Sequence, residues 1–233
     1  MATSDSVLTA ASRPGAARMA PRSAPMPWLK PGLIIGSLAP LAYIILRAYQ
    51  GTLSANPIPE AINELGLTAI IFLMASLACT PARWLLGWSW PVRIRRELGL
   101  FAFFYGVVHV LVYLVDQSID WSIIVQDIVQ RPFITVGFLA LLLLTPLALT
   151  STAASVRRIG FRRWQRLHQL AYVAGVLAVI HFLWRVKIDI TQPLIYGSVL
   201  AVLLLVRLVI WQRARSQAAA APAPKSRGSA ASQ

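Results

Sequence analysis

Residues 98–115 read LGLFAFFYGVVHVLVYLV, eighteen consecutive positions with no charged side chain and one imidazole, His109. A run of that length and apolarity is close to the ~20 residues that a helix needs to cross the hydrocarbon layer of a bilayer. It has neither the two-residue alternation of a half-buried strand nor the narrow apolar stripe of a water-facing helix. Five further windows share its character, at Leu33–Leu46, Ala61–Cys79, Pro132–Leu149, Leu167–Trp184 and Pro193–Trp211. The whole chain agrees with this reading: 57% of its 233 residues are hydrophobic and 13% are charged. Soluble domains are about half apolar and a quarter charged. So few ionic groups cannot cover a water-facing surface. The fold expected is an all-α membrane protein of six transmembrane helices. Several windows sit at the short end of the spanning range, which predicts tilt and snorkelling ends.

The formal net charge of +14 raises nucleic acid as a partner, but the placement of the basic residues answers it. The N-terminal tail carries Arg13, Arg18, Arg22 and Lys30, whereas the first loop, from Tyr49 to Pro59, has no Lys or Arg. The second loop has Arg83, Arg93, Arg95 and Arg96. The third has Arg131 against Asp116, Asp120 and Asp127. The fourth has Arg157, Arg158, Arg162, Arg163 and Arg166, the fifth only Arg185 and Lys187, and the C-terminal tail is basic again. Cationic residues thus crowd into every second segment, as the positive-inside rule demands of a chain with both ends in the cytoplasm. The expected setting is a bacterial inner membrane, with lipid and no nucleic acid as partner. Trp88, Trp90, Trp121, Trp164, Trp184 and Trp211 lie near window ends, where interfacial aromatics belong.

Domain organisation follows from composition. Residues 1–27 place scattered arginines among Ala, Ser and Pro with no apolar core, and read as a disordered cytoplasmic tail and not as a cleavable signal. Residues 28–212 form the transmembrane unit. Residues 213–233, rich in Ala, Pro and Ser, read as a second disordered tail. One cysteine, Cys79, excludes an internal disulfide and a multi-cysteine iron–sulfur site.

Ionisable groups inside membrane segments are costly and are functional candidates by default. All three histidines, His109, His168 and His181, fall in or at the ends of windows. The third and fifth windows run in the same direction. His109 lies 12 residues past Glu97 and His181 lies 13 past His168, so at ~1.5 Å per residue the two sit at similar depth, towards the outer face. Two imidazoles at one depth on neighbouring helices suit bis-histidine ligation of a haem iron within an apolar bundle. The competing reading is a histidine bonded to a neighbouring helix carbonyl, or a proton relay. With no intramembrane carboxylate counted to complete a relay, haem is the expectation for the pair. His168 lies ~20 Å of helix rise from His181, and no histidine matches it on the third helix. It would ligate a second haem with a non-histidine or open position, bind another cofactor, or bond a haem propionate or a quinone.

Haem propionates and flavin phosphates both seek guanidinium forks. Arg93, Arg95, Arg96, Arg163 and Arg166 on the inner side, and Arg131, Arg185 and Lys187 on the outer, are candidates. Arg95 and Arg96, which directly precede the His109 helix, are the pair selected. Nucleotide loops, HExxH and serine–histidine arrangements outside the membrane are missing from the sequence. No loop exceeds about twenty residues, too short for a soluble catalytic domain. Terminal chemistry is therefore expected on another protein.

Three stretches, RIRRELGLFAFFYGVVHVLVY (93–113), RPFITVGFLALLLLTPLALTST (131–152) and FRRWQRLHQLAYVAGVLAVIHFLWRVK (161–187), followed by QPLIY, resemble as a set the MsrQ family. These are haem-binding membrane subunits within the ferric reductase-like transmembrane family. The resemblance runs from about Trp28 to Arg213. It implies a six-helix bundle with a four-helix haem core and binding of haem b, with FMN assigned to the family as well. It also implies electrons drawn from the quinone pool and delivered to an MsrP-like periplasmic molybdoprotein that reduces methionine sulfoxide in proteins. The family's haem-associated histidines fall on His109, His168 and His181, and its arginine before the third helix falls on Arg95. Ferric reductases and NADPH oxidases carry two histidines on each of two helices. The second histidine of the third helix is missing here, and so is their cytoplasmic flavin domain. Two other functions are weighed: a stand-alone transmembrane ferric or cupric reductase, and a cofactor-free transporter or scaffold.

Overall fold

The structure is a computed structural model and describes residues 26–220. Among these residues there are nine helices and no strand: α1 (Leu29–Tyr49), α2 (Pro57–Leu86), α3 (Pro91–Asp116), α4 (Trp121–Gln130), α5 (Pro132–Leu149), α6 (Ala153–Ile159), α7 (Phe161–His168), α8 (Leu170–Arg185) and α9 (Thr191–Ala220). Six spans are long and apolar enough to cross a bilayer, with α7 and α8 together making one of 25 residues, Phe161–Arg185. The spans reach 18 to 30 residues, so five of the sequence windows are too short and Pro132–Leu149 matches its span. Helical hydrogen bonding continues past the apolar blocks through polar and aromatic residues that belong at the membrane interface. The expected tail at Arg213 also starts too early, because α9 runs on to Ala220. Residues 1–25 and 221–233 lie outside the described residues, together with most of what was assigned to the two tails.

Local chemistry places the boundaries. Pro57, Pro91 and Pro132 open α2, α3 and α5 at the first helical position, where a missing N–H costs nothing. Gly87 ends α2 in the left-handed conformation, φ +71°. Asp120 caps α4 by accepting from the Ser122 and Ile123 amides, and Thr152 caps α6 by accepting from Ser155.

The bundle has two ends. The connections α1–α2 and α8–α9, and the segment holding α4, share one of them. The α2–α3 connection and the segment holding α6 share the other. At the α6 end lie the arginine clusters of residues 83–96 and 157–166. At the α4 end Arg47 bonds both Glu60 (2.7 Å) and Glu64 (2.6 Å), and Arg131 pairs with Asp127 at 3.2 Å. Glu64 lies inside the second span, which corrects the expectation of no intramembrane carboxylate. Its charge is answered by Arg47 from the neighbouring helix.

Packing is pairwise. α2 lies most extensively against α3, and α5 against α8. The core between them is built from Ile70, Leu73, Met74, Leu77, Ala102, Phe182 and Leu200. Two interior prolines are answered by side chains from other helices. Near Pro40 in α1, the buried Tyr105 hydroxyl donates to the Ser37 carbonyl at 2.7 Å and accepts from the Leu41 amide at 3.2 Å. Pro81 in α2 has no N–H for the carbonyl of Leu77 four residues earlier. Arg207 of α9 supplies the missing donor and bonds the Tyr172 hydroxyl at 2.6 Å.

Candidate functional site

Each of the two main helix pairs carries the same local device. On α2, a Cβ at Gly66 would sit 3.1 Å from the His109 ring of α3, and His109 Nδ1 lies 2.8 Å from the carbonyl oxygen of Ile62, four residues before that glycine. On α5, a Cβ at Gly137 would sit 2.6 Å from His181 Nδ1 of α8. That nitrogen lies 2.6 Å from the carbonyl oxygen of Phe133, again four residues before the glycine. Glycine inside a helix costs about 1 kcal/mol against alanine. Here its use is geometric, since a bare backbone lets the edge of an imidazole come close enough to donate to the helix carbonyl.

Because a carbonyl only accepts, Nδ1 of each ring carries the proton, and Nε2 keeps its lone pair. Neither Nε2 has a hydrogen-bond partner among the described residues. The bland reading of a histidine bonded to a helix carbonyl is therefore met by one nitrogen only, and the ligand reading is open to the other. A carbonyl holding the distal N–H is the usual way a protein fixes a metal-binding imidazole in tautomer and direction.

The ring centres of His109 and His181 are 6.1 Å apart with planes at 86°. Two imidazole nitrogens each ~2 Å from one shared metal put their ring centres about 6 Å apart. Both rings line a cavity of about 380 Å³ enclosed by α2, α3, α5 and α8. Its walls are apolar or small: Leu67, Ile70, Ala102, Gly106, Leu141, Leu144 and Ala178. Polar groups gather at its α4 end, where Asn63, Tyr113, Asp116, Arg131 and Arg185 line the rim. Among the described residues no three His, Cys, Asp or Glu side chains meet as a metal-ion site. Two histidines with free nitrogens across a narrow apolar space fit the axial positions of a planar macrocycle, which brings the remaining ligands itself.

His168 is built differently. Its Nε2 lies 3.1 Å from the Thr150 hydroxyl, whose own proton goes to the Pro146 carbonyl at 2.6 Å. The imidazole is therefore the donor, and Nδ1 keeps the lone pair. Trp164 lies against the ring, centroids 4.0 Å apart, and donates its indole N–H to the Thr150 carbonyl. On the other pair of helices Arg95 reaches Thr80 at 3.4 Å. Thr80 follows Gly66 by fourteen positions and Thr150 follows Gly137 by thirteen, so Arg95 stands where the second pair has His168. Neither Arg95 nor the exposed Arg96 lines the cavity of His109 and His181. Both belong to the opposite end.

Three residues escaped the sequence reading although a signal existed for each. Gly66 and Gly137 are glycines inside apolar helices. Arg207 is a cation within the sixth window, the kind of residue the histidine argument itself singles out.

Comparison with known proteins agrees with this geometry. Residues 65–179 match the family described as ferric reductase like transmembrane component. A curated protein of Deinococcus radiodurans, named protein-methionine-sulfoxide reductase heme-binding subunit MsrQ, is 50% identical over 190 residues, which cover 82% of this chain and 94% of the relative. A protein of the same name from Rhodospirillum rubrum is 52% identical over 178 residues, 76% of this chain and 86% of its own length.

Proposed function

The chain belongs to the MsrQ family of ferric reductase-like transmembrane proteins, and from that premise we propose that it is the haem b subunit of a methionine-sulfoxide reductase system. In this reading His109 and His181 are the axial ligands. The chain passes electrons from the quinone pool to an MsrP-like periplasmic molybdoprotein. The observation that carries the proposal is the pair of unpartnered Nε2 atoms across the cavity, each aimed by a carbonyl bond at Nδ1. When bound, haem b supplies a one-electron couple within the bilayer. The protein's part is to hold the two imidazoles in one tautomer, to exclude water with apolar walls, and to place the site near one face.

The α6 end, with its arginines, is the cytoplasmic end in this proposal, and the α4 end is periplasmic. His168 and Arg95 then form the inner station. It is the place assigned to a second prosthetic group, haem or FMN, and to entry of electrons from quinol. The carboxylate-bearing rim at the α4 end faces the partner. A cofactor-free scaffold would leave two oriented Nε2 atoms and their cavity without a purpose.

Spectroscopy of the purified full chain tests this reading. The expected result is a low-spin haem spectrum that a quinol reduces and a periplasmic molybdoprotein subunit reoxidises. A purified chain that shows no Soret band, even after incubation with haem b, removes the proposal. A haem that quinol fails to reduce removes the donor.

A further inference from the structure

Arg185 closes α8 at the rim of the cavity. It is half-buried, its guanidinium sits 5.7 Å from the centre of the Phe182 ring, and its Nη1 donates to Asn63 Oδ1 of α2. Among the described residues no carboxylate lies within 4 Å of it. Two other cations at this end are matched, Arg47 by Glu60 and Glu64 and Arg131 by Asp127, and Lys187 is exposed to solvent. The rim's remaining carboxylate, Asp116, accepts from Gln117 at 3.1 Å and pairs with no cation.

A guanidinium held at the edge of an apolar cavity without a counter-ion carries an unmet desolvation cost. Its planar fork matches a carboxylate through two parallel hydrogen bonds. Asn63 takes one donor and fixes the plane, which leaves the rest of the fork for a ligand. Resting on the haem reading above, we infer that Arg185 is the carboxylate receptor of this cavity. The acidic edge of the bound macrocycle then faces the α4 rim, and the apolar edge points to the bundle centre among Leu73, Ala102 and Leu144. Arg95 and Arg96, on the opposite end, take no part in holding this group.

The test is a two-by-two comparison on the full chain in detergent, reconstituted with haem b or with its dimethyl ester, which has no free carboxylate. Dissociation rates are read by transfer to an apo-globin. The wild type is expected to hold the acid form at least ~10-fold longer than the ester, as for loss of an orienting partner at a metal site. Arg185→Gln should abolish that preference, Arg185→Lys should restore part of it, and Lys187→Gln, an equal loss of charge on an exposed neighbour, should leave it intact. An acid-over-ester preference unchanged in Arg185→Gln overturns the inference while leaving the haem reading standing. A wild type that takes up neither compound in a low-spin form fails the haem reading instead. Should Arg185→Gln fold poorly, the Lys variant decides alone: no difference from wild type in the ratio, in the rates or in the spectrum counts against a bidentate receptor.

Discussion

The two ends of the bundle start from one plan and finish with different chemistry. At the α4 end the helix pairs α2–α3 and α5–α8 repeat one another residue for residue: glycine, carbonyl four positions back, imidazole pinned through Nδ1. At the α6 end the repeat breaks, with His168 on Thr150 in one pair and Arg95 on Thr80 in the other. The symmetric end has two imidazoles 6.1 Å apart, each with Nε2 left unpartnered. The asymmetric end has one imidazole, already engaged through Nε2, and a permanent cation. The same local packing thus brings two histidines together at one end, and a histidine and an arginine at the other. The difference is chemical and not architectural.

Breaking the symmetric end should have the largest effect. On the proposed haem reading, His181→Ala or His109→Ala removes an axial ligand outright. Each should cost more than the ~10–100-fold in affinity that loss of an orienting partner costs, and the low-spin spectrum should vanish in either variant. Optical titration of the purified variants checks this. Retention of an unaltered low-spin spectrum by both would end the axial assignment.

The two glycines sharpen the comparison within that end. Gly137→Ala puts a methyl 2.6 Å from His181 Nδ1, whereas Gly66→Ala puts one 3.1 Å from His109. The first must displace the ring and is expected to weaken haem binding ~10-fold or more, as a lost orienting contact does. The second asks for a few tenths of an ångström and should do less. Helix propensity runs the other way, favouring alanine by about 1 kcal/mol. Poorer retention of haem with no gain in heat stability, the propensity term being offset by the broken His181–Phe133 bond, is the expected signature for Gly137→Ala. Equal effects at the two glycines would argue against the geometric ranking.

His168→Ala tests the asymmetric end. The His109/His181 spectrum should persist, and the loss of one hydrogen bond to Thr150 should cost about 1 kcal/mol. If the low-spin signal disappears with His168 and survives without His181, the ends have been assigned the wrong way round.

The smallest effect concerns α4. The Asp120 carboxyl is held below its ordinary 3.8 by hydrogen bonds from the Ser122 hydroxyl, then the Ser122 and Ile123 amides. A depressed carboxylate stabilises above its ordinary value, and the benefit fades as pH falls through the lowered one. Amide protection, the intrinsic exchange rate over the observed rate at the same pH, should therefore be high in the first turn of α4 at neutral pH and fall in acid. In Asp120→Ala protection should be low throughout.

Much of this was legible in the sequence because bilayers impose strong rules. The length of the windows gave the spans, and the arginine alternation gave the two ends. The count from Glu97 to His109 and from His168 to His181 put two imidazoles at one depth, where the structure brings them to 6.1 Å. What stayed hidden depends on which helix faces which. Gly66 and Gly137 mean little until His109 and His181 lie on them. Arg185 and Arg95 look alike in a list of arginines, and only packing puts one on the cavity and the other away from it. Arg207 is readable in the sequence as a cation inside an apolar span. Its role, however, comes from Pro81 on a helix 126 residues earlier in the chain.

The Tyr105 hydroxyl that bridges Ser37 and Leu41 has a consequence for how the chain is made. As α1 emerges during synthesis it carries a proline-interrupted backbone, and the side chain that completes it lies 64 residues further on, in α3. Held alone in lipid, that backbone pays for unmet polar groups. The first helix should therefore linger beside the insertion machinery until the third arrives, so that a truncation ending before Tyr105 leaves α1 only loosely committed to the membrane.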